Sequence, residues 1–111
     1  HQANKGLSLS PSNAIRLMNN HSDALIIDIR TTADFNAGRI KGAKNMPLSD
    51  FAKSVDGVKD FKDKPVLIYC NSGNTVGRAI KLLKTAGFEK ISNLEGGIAA
   101  WKEANIPLTK K

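Results

Sequence analysis

Two apolar runs constrain this chain more than any other feature. Ala24-Leu25-Ile26-Ile27-Asp28-Ile29 and Val66-Leu67-Ile68-Tyr69 are nearly continuous, rich in β-branched residues and of strand length. A strand with one solvated face alternates apolar and polar residues, so these two must be covered on both faces. Pro65 opens the second run, at a position that strands tolerate. Segments of helical period lie around them. Ser10 caps a helix that starts with Pro11, carries an apolar stripe of Ala14, Ile15 and Met18, and ends at Asn19-Asn20. Val76, Ala79, Ile80, Leu83 and Ala86 recur at helical spacing, and Gly87 stops that helix. Gly96-Gly97 leads into a further helix around Ile98-Ala99-Ala100-Trp101, ended near Asn105 and Pro107. Leu7-Ser8-Leu9 reads as a short edge strand and Lys90 to Asn93 as another short strand. Buried strands alternating with helices predict an α/β domain: a parallel sheet flanked by helices on both faces.

One such domain accounts for the whole chain. At 111 residues the sequence has the length of a single domain, and a domain of this size buries roughly 65% of its unfolded surface. Residues 1–6 are polar and without period, so they read as a frayed end preceding a domain over 7–111. No apolar run approaches the ~20 residues of a membrane-spanning helix. The expectation is a cytoplasmic domain, tethered to a membrane only through a segment outside this sequence. The net charge of +7 has three readings, nucleic-acid binding, membrane-surface attraction or attraction of small anions, set against a merely solvated basic surface. Nucleic acid is disfavoured because aromatics are 5% of residues and most lie in core segments.

The single cysteine excludes an intramolecular disulfide and a Cys-rich zinc site. Its position suggests more. Cys70 follows a buried strand and precedes Asn71-Ser72-Gly73-Asn74-Thr75, a loop of turn formers that opens a helix at Val76. In open α/β sheets ligands bind beyond the carboxyl ends of the strands. Gly73 and Asn74 tolerate positive φ, so the loop amides can converge on one point. The helix start adds positive potential there, which favours a thiolate over a thiol. The alternative is a buried hydrophobe ending a strand, but the loop is too polar to bury well. His21 lies in a polar turn and His1 at the terminus, so a Cys–His hydrolase is disfavoured.

Three ordered segments resemble the rhodanese homology domain family, in its small single-domain form. Asp28-Ile29-Arg30, Asp34-Phe35, Gly38-Arg39-Ile40, Gly42-Ala43 and Asn45-Met46-Pro47 are similar to its first signature. Val66 to Tyr69 with Cys70 resembles its active-site strand and loop, and Leu94-Glu95-Gly96-Gly97 through Trp101 its C-terminal signature. The resemblance implies a central parallel five-stranded sheet and sulfur transfer through a Cys70 persulfide. A donor such as thiosulfate supplies the sulfur, and cyanide or a thiol accepts it. Protein donors or acceptors are also implied, while no metal or organic cofactor is.

The resemblance carries site roles over unevenly. Cys70 is the nucleophile and, with Asn71, Ser72, Gly73, Asn74 and Thr75, forms a six-membered loop ahead of Val76. Many family members place a donor-binding arginine where this chain has Thr75, whose hydroxyl can instead reach the persulfide. Arg78, the nearest cation, is either a solvent-facing helix residue or a donor ligand. Asp28 and Arg30 read as scaffold, with Arg30 paired to Asp34 or another carboxylate. Two competing functions remain. One is a sulfur-delivery or interaction module with little turnover of small donors. The other is a phosphatase or arsenate reductase of the same fold, whose loop is one residue longer and closed by an arginine.

Overall fold

A computed structural model describes residues 7–72 and 75–110. Leu25–Asp28, Val66–Tyr69 and Ile91–Leu94 are buried at every position, as the near-continuous apolar runs of the first two lead one to expect, whereas the third buries Ser92 and Asn93 as well. The elements run β1 (Leu7–Leu9), α1 (Pro11–Asn20), β2 (Leu25–Asp28), α2 (Thr32–Ala37), β3 (Ala43–Asn45), α3 (Phe51–Val55), β4 (Val66–Tyr69), α4 (Val76–Thr85), β5 (Ile91–Leu94) and α5 (Gly97–Glu103). The five strands form one sheet in the order β1-β5-β4-β2-β3, and every neighbouring pair is parallel.

Alternate side chains of the central strands feed two cores. Ile27, Ile68, Cys70 and Ile91 face α3 and α4, meeting Phe51, Val55, Val76, Ala79, Ile80 and Leu83. Ile26, Leu67, Tyr69 and Leu94 face the other way, against Ala14 of α1 and Ile98 and Trp101 of α5. Each fully buried Leu, Ile or Phe stabilises the domain by about 1.5–3 kcal/mol. The sheet is therefore held from both sides, and its carboxyl edge has little room to shift.

Local signals place most elements where the sequence puts them. Ser10 Oγ accepts the Asn13 N–H at 3.3 Å and Pro11 opens α1. Val76 opens α4, and Gly87 follows its end at φ +102°, a conformation that glycine adopts without strain. Two strands differ slightly from expectation: β2 is shorter than Ala24–Ile29, and β5 lies one residue later than Lys90–Asn93. The short elements β3, α2 and α3 had no periodic signal. Each has six residues or fewer, and α2 buries none of them. The N-terminal segment 1–6 lies outside the described residues.

Candidate active site

The strand order fixes where a ligand site belongs. From β2 the chain moves outward to β3, and from β4 it moves in the opposite direction to β5. The crossovers diverge between β2 and β4, and that divergence leaves a crevice at the carboxyl edge. A cleft of about 290 Å³ lies there. Ile29, Arg30 and Thr31 line it from the end of β2, and Cys70, Asn71, Ser72 and Thr75 from the end of β4 and the start of α4. Larger cavities of about 640 and 360 Å³ share His21 and open at the amino ends of the strands, away from Cys70.

Cys70 is 4% exposed. It belongs to the α3–α4 core, yet its side of the sheet opens into the cleft. A buried sulfur beside a polar opening is shielded from bulk solvent and still reachable by a small reagent. Thr75 occupies the position just before α4, without a side-chain capping hydrogen bond, and lines the same cleft, so the positive end of that ten-residue helix opens toward the space around the sulfur.

Beneath the cleft lies a buried polar triad. Asp28, fully buried, accepts the Arg30 backbone N–H at 2.8 Å, Arg30 Nε at 3.1 Å and Arg30 Nη2 at 2.8 Å. Tyr69, its register partner on β4, donates its hydroxyl to Asp28 Oδ2 at 2.7 Å and accepts the Ile40 N–H at 3.2 Å. Arg30 Nη2 also donates to the Gly38 carbonyl at 2.6 Å, tying the end of α2 to β2. The partner of Arg30 is thus Asp28, two residues earlier, while Asp34 is exposed. Burial alone would lower the Arg30 pKa, but the Asp28 carboxylate raises it above its ordinary value.

The triad makes a pH prediction. Burial, then the hydrogen bond to Asp28, push the Tyr69 phenol above its ordinary value of 10.0. The folded state therefore keeps this proton at pH values where the unfolded chain loses it. Its contribution to stability is complete below pH 10 and is lost as pH rises beyond it. Tyr69→Phe should lose about 1–3 kcal/mol at pH 7. The gap from wild type should narrow above pH 10, as read by urea unfolding at both pH values.

The approach of α5 completes the site. Gly97 sits so close to the loop that a Cβ there would lie 2.5 Å from the Cys70 carbonyl oxygen and 2.8 Å from the Asn71 carbonyl. Its φ of +63° also disfavours any side chain. The contact lets the Ile98 N–H donate to the Cys70 carbonyl at 2.9 Å and the Ala99 N–H to the Asn71 carbonyl at 3.0 Å. The first turn of α5 thus clamps the backbone of the cysteine and of the residue after it. Sequence reasoning read Gly97 as a turn glycine. The long-range contact has no signal in the sequence near Gly97.

The sequence-predicted residues separate into three groups. Cys70, Asn71, Ser72 and Thr75 share the cleft. Val76 is buried in the adjacent core, and Arg78 is exposed on α4 and outside the cleft lining. Gly73 and Asn74 lie outside the described residues. Arg30, read as scaffold, lines the cleft as well as forming the triad.

Fold and cleft together define an open parallel α/β domain with its ligand site at the β2–β4 divergence. The chain belongs to the rhodanese-like family, whose domain model matches residues 10–104. It is 35% identical over 86 residues to a sulfurtransferase of Allochromatium vinosum, covering 78% of each protein. An uncharacterized protein of Synechocystis is 36% identical over 86 residues, covering 78% of this chain and 47% of that one. The chain therefore spans about half the length of that curated relative. The polysulfide-sulfur transferase homodimer of Wolinella succinogenes is similar in structure, with a TM-score of 0.80 at 28% identity over 97% of this chain and 82% of that one. Among the described residues no helix is long and apolar enough to cross a membrane.

Proposed function

We propose that this protein is a sulfurtransferase that carries sulfane sulfur as a persulfide on Cys70. The observation that carries the reading is the position of Cys70: it is the nucleophile-bearing residue of the cleft at the strand divergence. The cationic end of α4 favours the thiolate there without a histidine base. That thiolate attacks the outer sulfur of a donor such as thiosulfate. The donor's S–S bond breaks, sulfite departs with the bonding electrons, and Cys70–S–S⁻ remains. An acceptor, cyanide or a thiolate, then attacks the outer sulfur and returns the electron pair to Cys70. The covalent intermediate divides one difficult transfer into two easier displacements. Dipoles that hold the thiolate also hold the persulfide anion.

The length of the loop favours this chemistry over oxyanion hydrolysis. With α4 starting at Val76, the loop from Cys70 to Thr75 has six members and ends on threonine. A phosphate needs the longer, arginine-closed cradle. A second reading, delivery of sulfur received from a protein donor, is favoured by Arg78, which is exposed and outside the cleft lining. Steady-state thiocyanate formation from thiosulfate and cyanide tests both. Turnover that disappears in Cys70→Ser supports the small-donor enzyme. Negligible turnover with rapid uptake from a cysteine desulfurase supports delivery, and no uptake from any donor overturns sulfur transfer.

A further inference from the structure

The Cys70 cleft continues into a second, smaller lobe. This lobe, of about 150 Å³, lies between α2 and α5 and shares Arg30, Asp34 and Asn71 with the cleft. It adds Lys102 and Leu108 to the lining. At roughly 30 Å³ per water-sized group it holds about five such groups, the size of a carboxylate on two methylenes.

Its donors are uncommitted. A guanidinium has five N–H groups. Those on Nε and Nη2 of Arg30 go to Asp28 and the Gly38 carbonyl. Among the described residues Nη1 has no hydrogen-bond partner, and no unpartnered side-chain nitrogen or oxygen is buried among them. Nη1 is therefore solvent-accessible, and Arg30 borders both lobes. Lys102, exposed on α5, takes part in none of the ion pairs of the described residues. Asp34, exposed on α2, is the acid on the same lining and works against the attraction for an anion. Asp28 already balances the charge of Arg30, so Lys102 against Asp34 leaves the guanidinium N–H groups as the surplus donors.

We propose that this lobe selects the acceptor by binding the carboxylate of a carboxylate-bearing thiol, with Lys102 and Nη1 of Arg30 as its donors. The proposal rests on the sulfur-transfer reading above and names the acceptor class. The bound acceptor's thiolate attacks the outer sulfur of the Cys70 persulfide. The S–S bond to Cys70 breaks, Cys70 leaves as thiolate, and the acceptor departs as its persulfide.

Alkylation of Cys70 by iodoacetate and by iodoacetamide tests the lobe without requiring sulfur transfer. The ratio of the two rates cancels changes in thiol reactivity and reads recognition of the carboxylate. Lys102→Gln should lower that ratio roughly threefold and Lys102→Glu about tenfold, the effect of one and two charge steps at several ångströms near water. Asp34→Asn should raise it. Lys41→Gln, at the amino-end cavity, removes the same charge from the other edge and should leave the ratio nearly unchanged. Equal effects of Lys102→Gln and Lys41→Gln would overturn the proposal, since overall charge would then explain both. Transfer from the persulfidated protein should likewise prefer 3-mercaptopropionate to 2-mercaptoethanol, and Lys102→Gln should weaken the preference roughly threefold. If wild type takes up no sulfur, the proposed function fails while the alkylation ratio still decides the lobe.

Discussion

Gly97→Ala is expected to cut sulfur transfer by about a hundredfold or more, although Gly97 carries no reactive group. The new Cβ would lie 2.5 Å from the Cys70 carbonyl oxygen and 2.8 Å from the Asn71 carbonyl carbon. Both are backbone atoms, so no side-chain rotation relieves the overlap. Either the cysteine loop or the first turn of α5 must shift, and the two N–H bonds from Ile98 and Ala99 are then lost or lengthened. A displacement near 1 Å at a reacting centre costs on the order of a hundredfold in rate. Gly42→Ala separates this effect from backbone strain. Gly42 also has positive φ, at +85°, but a Cβ there meets nothing within 4 Å. It should lose about 1–2 kcal/mol of stability and keep its transfer rate per folded molecule. Thermal unfolding and single-turnover transfer on both variants make the comparison. Equal transfer rates in the two would contradict the clamp.

Asp28→Ala is the second large effect, and it falls on stability. The carboxylate has no exposed surface and accepts from Arg30 and Tyr69 at once. Removing it strands a buried guanidinium and a buried hydroxyl. Breaking a buried pair on one side costs about 3–5 kcal/mol, a large share of the 5–15 kcal/mol typical of a domain. The expected fall in Tm is more than about 10 °C. The double variant Asp28→Leu/Arg30→Met should recover part of the loss, because no uncompensated charge remains. Urea unfolding of Asp28→Leu, Arg30→Met and the double gives the coupling. Additive losses would show that Asp28 and Arg30 act independently, against the bonds between them.

The long elements were legible in the sequence for a physical reason: strands covered on both faces are mostly apolar rather than alternating, and β2 and β4 show that run directly, with Asp28 as the polar exception held by its hydrogen bonds. So were Ser10 as cap and Gly87 as stop. The place of Cys70 between β4 and α4 was legible because a strand followed by a thiol, turn formers and a helix is a local pattern. β3 escaped because Ala43-Lys44-Asn45 contains neither β-branched nor alternating residues. It is a strand because β2 offers an open edge beside it. That Arg30 pairs with a carboxylate was legible; that the carboxylate is Asp28 was not, because strand alternation puts i and i+2 on one face only while the strand lasts. β2 ends at Asp28, and the chain then turns Arg30 back onto it. The clamp by Gly97 and the lobe containing Lys102 depend on residues 27 and 32 positions from Cys70, joined only by the fold.

The proposed chemistry depends on Cys70 carrying the sulfur. Intact mass spectrometry after incubation with thiosulfate tests it most directly, on wild type and on Cys70→Ser without reductant. Wild type should gain one sulfur atom, removed by cyanide, and Cys70→Ser none. The same adduct on both proteins, or none on wild type with thiosulfate, polysulfide or a cysteine desulfurase as donor, would contradict it.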